Sequence, residues 1–210
     1  MDRIVRLGIL GGTFDPPHYG HLILGEQAHE QLALDKVLWV PAADPPLKEN
    51  KTKTPIALRL KMLQMAVEDN EHFEISLVDV ERPGPHYTVD MLALLREHYT
   101  QAAFFFLMGS DSLNDLLRWR DPARLIQMAT LAVMQRPGAP IDLAKLSPDL
   151  PGIEQCIMPI DGPMIEIASS DIETRIRSGR SVRYLLPKAI EGFIYKQGLY
   201  IEDAPLRSRR

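Results

Sequence analysis

Residues 9–22 read Ile9-Leu10-Gly11-Gly12-Thr13-Phe14-Asp15-Pro16-Pro17-His18-Tyr19-Gly20-His21-Leu22. The apolar run over residues 4–10 predicts a buried strand. Gly11 and Gly12 break it, Pro16 and Pro17 stiffen the turn, and a helical pattern begins near Tyr19. A strand, a glycine-containing turn and a helix N-terminus form the arrangement that α/β proteins use to hold phosphate. Glycine has no Cβ to keep a ligand away from the backbone. The helix start offers free N–H groups and the positive end of the macrodipole. His18 and His21, at i and i+3, share one side of a first helical turn. Two imidazoles there can donate hydrogen bonds to a phosphate whose charge grows in a transition state. The stretch holds no serine, cysteine or lysine, which favours direct transfer between two bound substrates over a covalent intermediate. Other readings stay open. A strand-Gly-Gly-helix junction is not specific to phosphate, and His-x-x-His is half of a metal site, although no third ligand is in view. His29 reads as a solvated or packing residue.

The chain of 210 residues is long enough for a sizeable single core. Hydrophobic residues at 45% and charged residues at 25% are ordinary for a globular protein. A net charge of −4 gives no case for non-specific nucleic-acid binding. The single Cys156 excludes an intrachain disulfide and fits a reducing compartment. No apolar run approaches the roughly 20 residues that span a bilayer, and Arg3 and Arg6 interrupt the only short apolar stretch at the N-terminus. A cytoplasmic protein with no membrane partner is expected.

Working outward, residues 22–34 read as a helix and residues 36–40 as a strand. Strand-helix-strand predicts a parallel pair with a right-handed crossover. Residues 42–55 form a loop with Pro45-Pro46-Leu47-Lys48, Lys51 and Lys53, whose charges face either a polyphosphate or solvent. A helix over 56–67 carries Arg59 and Lys61 on its polar face. Residues 73–80 read as a strand, and Thr88 as the N-cap of a helix over 89–99. The Phe-Phe-Phe-Leu-Met run of residues 104–108 reads as a core strand entering Gly109-Ser110-Asp111. This second strand-Gly-helix junction suits a ribose, with Asp111 accepting from its hydroxyls or capping the helix. Trp119, on a polar segment, can stack on a pyridine ring. A helix over 123–128 and a strand over 130–134 lead to Arg136-Pro137-Gly138, and residues 155–158 are the last strand expected. Ser169 or Ser170 can cap the next helix and leave its N-terminus open to anions. A final amphipathic helix over 188–197 has Pro187 at its first position and Gly198 as C-cap residue.

Gly11-Gly12-Thr13-Phe14-Asp15-Pro16-Pro17-His18-Tyr19-Gly20-His21 resembles the signature of the His-x-Gly-His nucleotidyltransferases, and in its fuller form the bacterial nicotinate mononucleotide adenylyltransferases. The likeness continues through Tyr87-Thr88-x-Asp90, Gly109-x-Asp111 to Trp119, Arg136-Pro137-Gly138, and the segment from Ser169 to Pro187. It implies a Rossmann-like α/β fold: a parallel sheet flanked by helices, with a small helical C-terminal part. Residues 1–200 would form one nucleotidyltransferase domain, with 168–200 as the helical part and 201–210 as a polar, disordered tail. The implied reaction joins AMP from ATP to nicotinate mononucleotide, giving nicotinate adenine dinucleotide and pyrophosphate in NAD biosynthesis. His18 and His21 would be catalytic, stabilising phosphoryl charge. Gly11, Gly12, Thr13, Phe14, Lys48, Gly109, Asp111, Ser169, Ser170 and Arg177 would hold ATP and its phosphates; Thr88, Trp119 and Arg136 would hold the mononucleotide. Mg²⁺ would come with ATP, with no protein side chain as its direct ligand. The likeness leaves a homo-oligomer open.

Two departures fall on the ATP side. Leu47 stands where the family often has histidine in Pro-Pro-His-Lys. Ala168, Ser169 and Ser170 occupy the three hydroxyl positions of the family's Ile-Ser-Ser-Thr-x-Ile-Arg, and Glu173 stands on the arginine. A carboxylate beside a triphosphate repels it unless bridged by a cation, and Arg177, one turn on, shares the face of Glu173. Nicotinamide mononucleotide or phosphopantetheine as acceptor are alternatives, as is a nucleotide-binding protein of this fold with weakened catalysis.

Overall fold

The chain was studied as a computed structural model that describes residues 5–43 and 53–201. Six strands form one sheet: β1 (Arg6–Gly12), β2 (Lys36–Pro41), β3 (Phe73–Ile75), β4 (Ala103–Gly109), β5 (Thr130–Met134) and β6 (Ile157–Ile160). Their order is β3-β2-β1-β4-β5-β6, and every pairing is parallel. This is the doubly wound order in which the chain turns back at its centre, so that a crevice opens between β1 and β4 at their carboxyl ends. The helices are α1 (Tyr19–Gln31), α2 (Ile56–Val67), α3 (Thr88–His98), α4 (Ser110–Asn114), α5 (Pro122–Met128), α6 (Ser169–Arg177) and α7 (Lys188–Gln197).

The pleat of the strands divides the core in two. Leu10, Trp39, Phe105 and Leu107 meet residues of α1, α2, α6 and α7 on one face. Leu7, Ile9, Leu38, Phe104, Phe106 and Met108 meet α3 and α5 on the other. Adjacent residues of β4 therefore serve opposite layers, which explains a strand that is apolar throughout. Ile172, Ile176, Ile190 and Ile194 anchor α6 and α7 into the first layer.

The expected elements mostly occur, with instructive differences. α2, α7 and β5 occupy the residues expected, and α1 starts three residues earlier than the helix over 22–34. The strand over 73–80 is only three residues long, because the amides of Val80 and Glu81 turn back to the carbonyl of Leu77. The strand over 155–158 is shifted to Ile157–Ile160, since Ile153–Cys156 forms a 3₁₀ turn. Thr88 does not cap α3: it is the first helical residue, and extended Tyr87 precedes it. Pro187 likewise precedes α7 rather than opening it, while Gly198 ends that helix at φ +63° as expected. Arg59 is not on a polar face; it is buried. Lys48, Leu47 and Lys51, with most of the tail, lie outside the described residues.

Candidate active site

β1 ends in Gly11-Gly12, and β4 ends in Gly109 on the adjacent strand. Between them lies a cavity of ≈ 130 Å³, whose walls include Gly11, His18, His21, Gly109, Asp111, Trp119 and Arg136. Seven of the expected site residues thus share one space. Gly12, Thr13, Phe14, Thr88, Ser169, Ser170 and Arg177 are not among its lining residues. Phe14 has its ring turned into the core, and the residue is 1% exposed.

His18 is the residue before α1, in extended backbone, and only 3% exposed. Its ring stacks on His21 at 3.8 Å between centroids. The amide of His18 donates to Nδ1 of His21 at 3.3 Å. An accepting Nδ1 leaves the proton of a neutral His21 on Nε2, which is therefore a donor. Burial, reinforced by the guanidinium of Arg136, lowers the pKa of His18 to about 3. At neutral pH His18 is uncharged, and its Nδ1 is buried with no hydrogen-bond partner among the described residues. Gly20 lets the pair pack this closely: a Cβ there would lie 3.0 Å from the His18 ring.

Across the crevice, Arg136 joins three segments. Its backbone amide donates to Oγ of Ser110 at 2.8 Å, Nη1 pairs with Asp111 at 3.2 Å, and Nη2 donates to the carbonyl of Ile167 at 2.6 Å. Gly109 lies close beside it: a Cβ there would force the side chains of Asp111 and Arg136 to shift. Asp111 does not cap α4, which starts at Ser110; half-exposed, it is held by the arginine. Trp119 stands edge-on to Phe106, 5.9 Å between centroids. Thr88 follows a loop braced by the Asp79–Arg82 pair, in which Arg82 also donates to the carbonyls of Pro85 and Tyr87. Burial pushes the Asp79 carboxyl up against the opposing pull of Arg82.

At α6 neither serine acts as a cap. Extended Ala168 precedes the helix without a side-chain cap, and the Ser169 hydroxyl instead donates to the carbonyl of Pro16 at 2.9 Å. Arg177, the candidate replacement for the missing arginine, is paired within its own helix: its Nη2 lies 2.6 Å from the carboxylate of Glu173. Among the described residues no group of three His, Cys, Asp or Glu side chains is placed to hold a metal ion, and no helix is long and apolar enough to cross a membrane. His29 is a packing residue, stacked on His72 at 4.1 Å.

Sequence reasoning missed Arg59, which donates to the carbonyl of Thr13 inside the motif. A signal was present. Arg59 shares the i, i+3, i+4, i+7 face of α2 with Met62, Leu63 and Ala66, all buried. Tyr200, which donates to Asp15, left no comparable sign.

Residues 9–175 match the cytidylyltransferase-like family. A protein of Thermomicrobium roseum named "Probable nicotinate-nucleotide adenylyltransferase" is 50% identical over 93% of this chain and 91% of its own length. One from Thermus thermophilus with the same name is 41% identical over 93% of this chain and 100% of its own length. Among solved structures, the Plasmodium falciparum nicotinic acid mononucleotide adenylyltransferase complexed with NaAD has the same fold, with a TM-score of 0.78 at 21% identity, covering 93% of this chain and 97% of that one. The chain belongs to the cytidylyltransferase-like family and, within it, to the nicotinate-nucleotide adenylyltransferases.

Proposed function

We propose that the chain transfers AMP from ATP to nicotinate mononucleotide, in NAD biosynthesis. The observation that carries this reading is one cavity lined by two stacked imidazoles, that of His18 uncharged, together with Trp119 and Asp111. A phosphate oxygen of the mononucleotide forms a bond to the α-phosphorus of ATP. The bond from that phosphorus to the bridging oxygen of the β-phosphate breaks, and pyrophosphate leaves with the electron pair. The attacking phosphate is already ionised at neutral pH, so no general base is needed, and catalysis is positioning plus electrostatics. His18 and His21 donate hydrogen bonds to the phosphoryl oxygens as charge develops. Gly11, Gly12, Thr13 and the backbone of Phe14 line the approach of the triphosphate, with Lys48, Ser169 and Ser170 as further contacts. Gly109 and Asp111 receive the adenosine ribose. Trp119 stacks on the pyridine, and Thr88 and Arg136 contact the mononucleotide. Mg²⁺ enters on ATP as part of the substrate, shielding the pyrophosphate.

Pyrophosphate release with ATP and Mg²⁺ tests the reading, with nicotinate mononucleotide, nicotinamide mononucleotide and phosphopantetheine compared as acceptors. Release with the first acceptor is expected to dominate and to fall about 10²–10³-fold on His18→Ala. Equal rates with phosphopantetheine, or an unchanged rate in the variant, would overturn it.

A further inference from the structure

Phe14 is the one residue of the motif whose backbone is left-handed, at φ +50°. For a bulky L-residue that conformation is unfavourable and persists only when its surroundings impose it. The ring of Phe14 is what the conformation places. It meets His21 edge-on at 5.1 Å and rests against Trp39 at 5.5 Å in the core. His21 in turn stacks on His18.

Both neighbours of Phe14 are held from outside the motif. On one side, Nη1 of Arg59 donates to the carbonyl of Thr13 at 2.8 Å. The same guanidinium donates to the carbonyls of Ala42 and Ala43 at the end of β2, and to Thr54 ahead of α2, at 2.8–2.9 Å. It is 1% exposed, and its planar fork matches four acceptors at once. On the other side, the carboxylate of Asp15 accepts from the Tyr200 hydroxyl at 2.5 Å and from the Thr54 amide at 3.0 Å. Burial and the neighbouring Asp15 push the Tyr200 hydroxyl up from its ordinary pKa, so it keeps its proton and remains the donor.

We infer that Arg59 and Tyr200 are positioning residues for the transfer reaction: they hold Thr13 and Asp15 so that Phe14 fixes the ring of His21 against His18. The inference rests on the proposed function for its kinetic consequence, while its structural half stands alone. Arg59 is buried with its guanidinium on four backbone carbonyls and the Tyr200 hydroxyl is on Asp15, so each acts through the motif.

The test is Tyr200→Phe, which removes one hydroxyl and no packing volume, combined with Phe14→Leu in a double-mutant cycle. The histidine ring proton resonances of the free protein report the stacked geometry directly. Tyr200→Phe is expected to move the His21 resonances and to lower kcat on the order of tenfold, as for one lost charge-assisted hydrogen bond, with KM for the mononucleotide unchanged. In the Phe14→Leu background the same change should have no further effect, because the two act through one ring. Unmoved His21 resonances in Tyr200→Phe overturn the inference, and so do losses in kcat that simply multiply. Arg59→Lys should repeat the resonance shift, since one ammonium cannot serve carbonyls on three segments; unmoved resonances there overturn the role of Arg59. If the wild type releases no pyrophosphate, the proposed function has failed, and the resonances still decide the inference.

Discussion

α1 opens on a histidine that is 3% exposed, uncharged and stacked on its neighbour, whereas α6 opens on Ala168 and carries an exposed ion pair, Glu173–Arg177, a turn later. The two helix starts are joined by one hydrogen bond, from the Ser169 hydroxyl to the carbonyl of Pro16. The first is specified by packing. Its polar atoms have one geometry, and a single methyl group would disturb it. The second is specified by charge in partial contact with water, where geometry is looser and screening weakens every interaction. A nucleotide lying across both would be gripped by shape at one end and steered by charge at the other.

The sharpest way to separate the two ends is acid. His18 has its pKa lowered to about 3 by burial and Arg136. An unfolded histidine takes up its proton near pH 6.5. Between those values the unfolded chain binds a proton that the folded one refuses, so stability is complete above about pH 6.5 and is lost as pH falls toward 3, by up to about tenfold in the folding equilibrium per pH unit. Urea unfolding at a series of pH values should show this slope, and His18→Gln should flatten it. If the slope persists in His18→Gln, the buried imidazole is not its source. Glu173→Ala should leave it in place.

Next in size is Gly20→Ala. A Cβ 3.0 Å from the His18 ring must push that ring, which already lies against His21. A displacement of a few tenths of an ångström at a reacting centre should lower kcat about tenfold with little change in KM for the mononucleotide. An unchanged kcat would mean that the stacked pair is more tolerant than its packing indicates.

The smallest effect belongs to the charged end. Glu173→Arg removes a carboxylate, releases Arg177 from its pair and should lower KM for ATP only about two- to fivefold, because both side chains are partly solvated. Unchanged KM for ATP would make Glu173 a tolerated surface variation.

The same contrast governs what the sequence made legible. Gly11, Gly12, His18, Gly20 and His21 are residue types with few alternative uses at that spacing, and their strand-turn-helix is present, except that Gly11 and Gly12 do not break β1: both pair with β2 as its last residues, and the turn follows them. β4 was legible because a strand buried on both faces is apolar at every position. The short β3 was not: the apolar residues that follow it are spaced like a strand, but the chain turns back at Leu77, and Asp79 is buried against Arg82. Arg59 was read by its charge as solvated, although its helical face was that of Met62 and Leu63. The Arg177–Glu173 pair shows the limit from the other direction. The i, i+4 spacing put the two on one face, and only coordinates reveal that the arginine is paired with the glutamate.

The ties that complete the motif come late in the chain. All six strands are laid down by Ile160, yet the carbonyl of Pro16, the amide of Tyr19 and the carboxylate of Asp15 find their partners in Ser169, Leu185 and Tyr200. On the ribosome, therefore, the sheet can assemble while its most chemically specialised turn still waits for the segment beyond β6 to emerge. Contacts across such long sequence separations are slow to form. The residues that complete the motif are thus synthesised after every strand of the sheet.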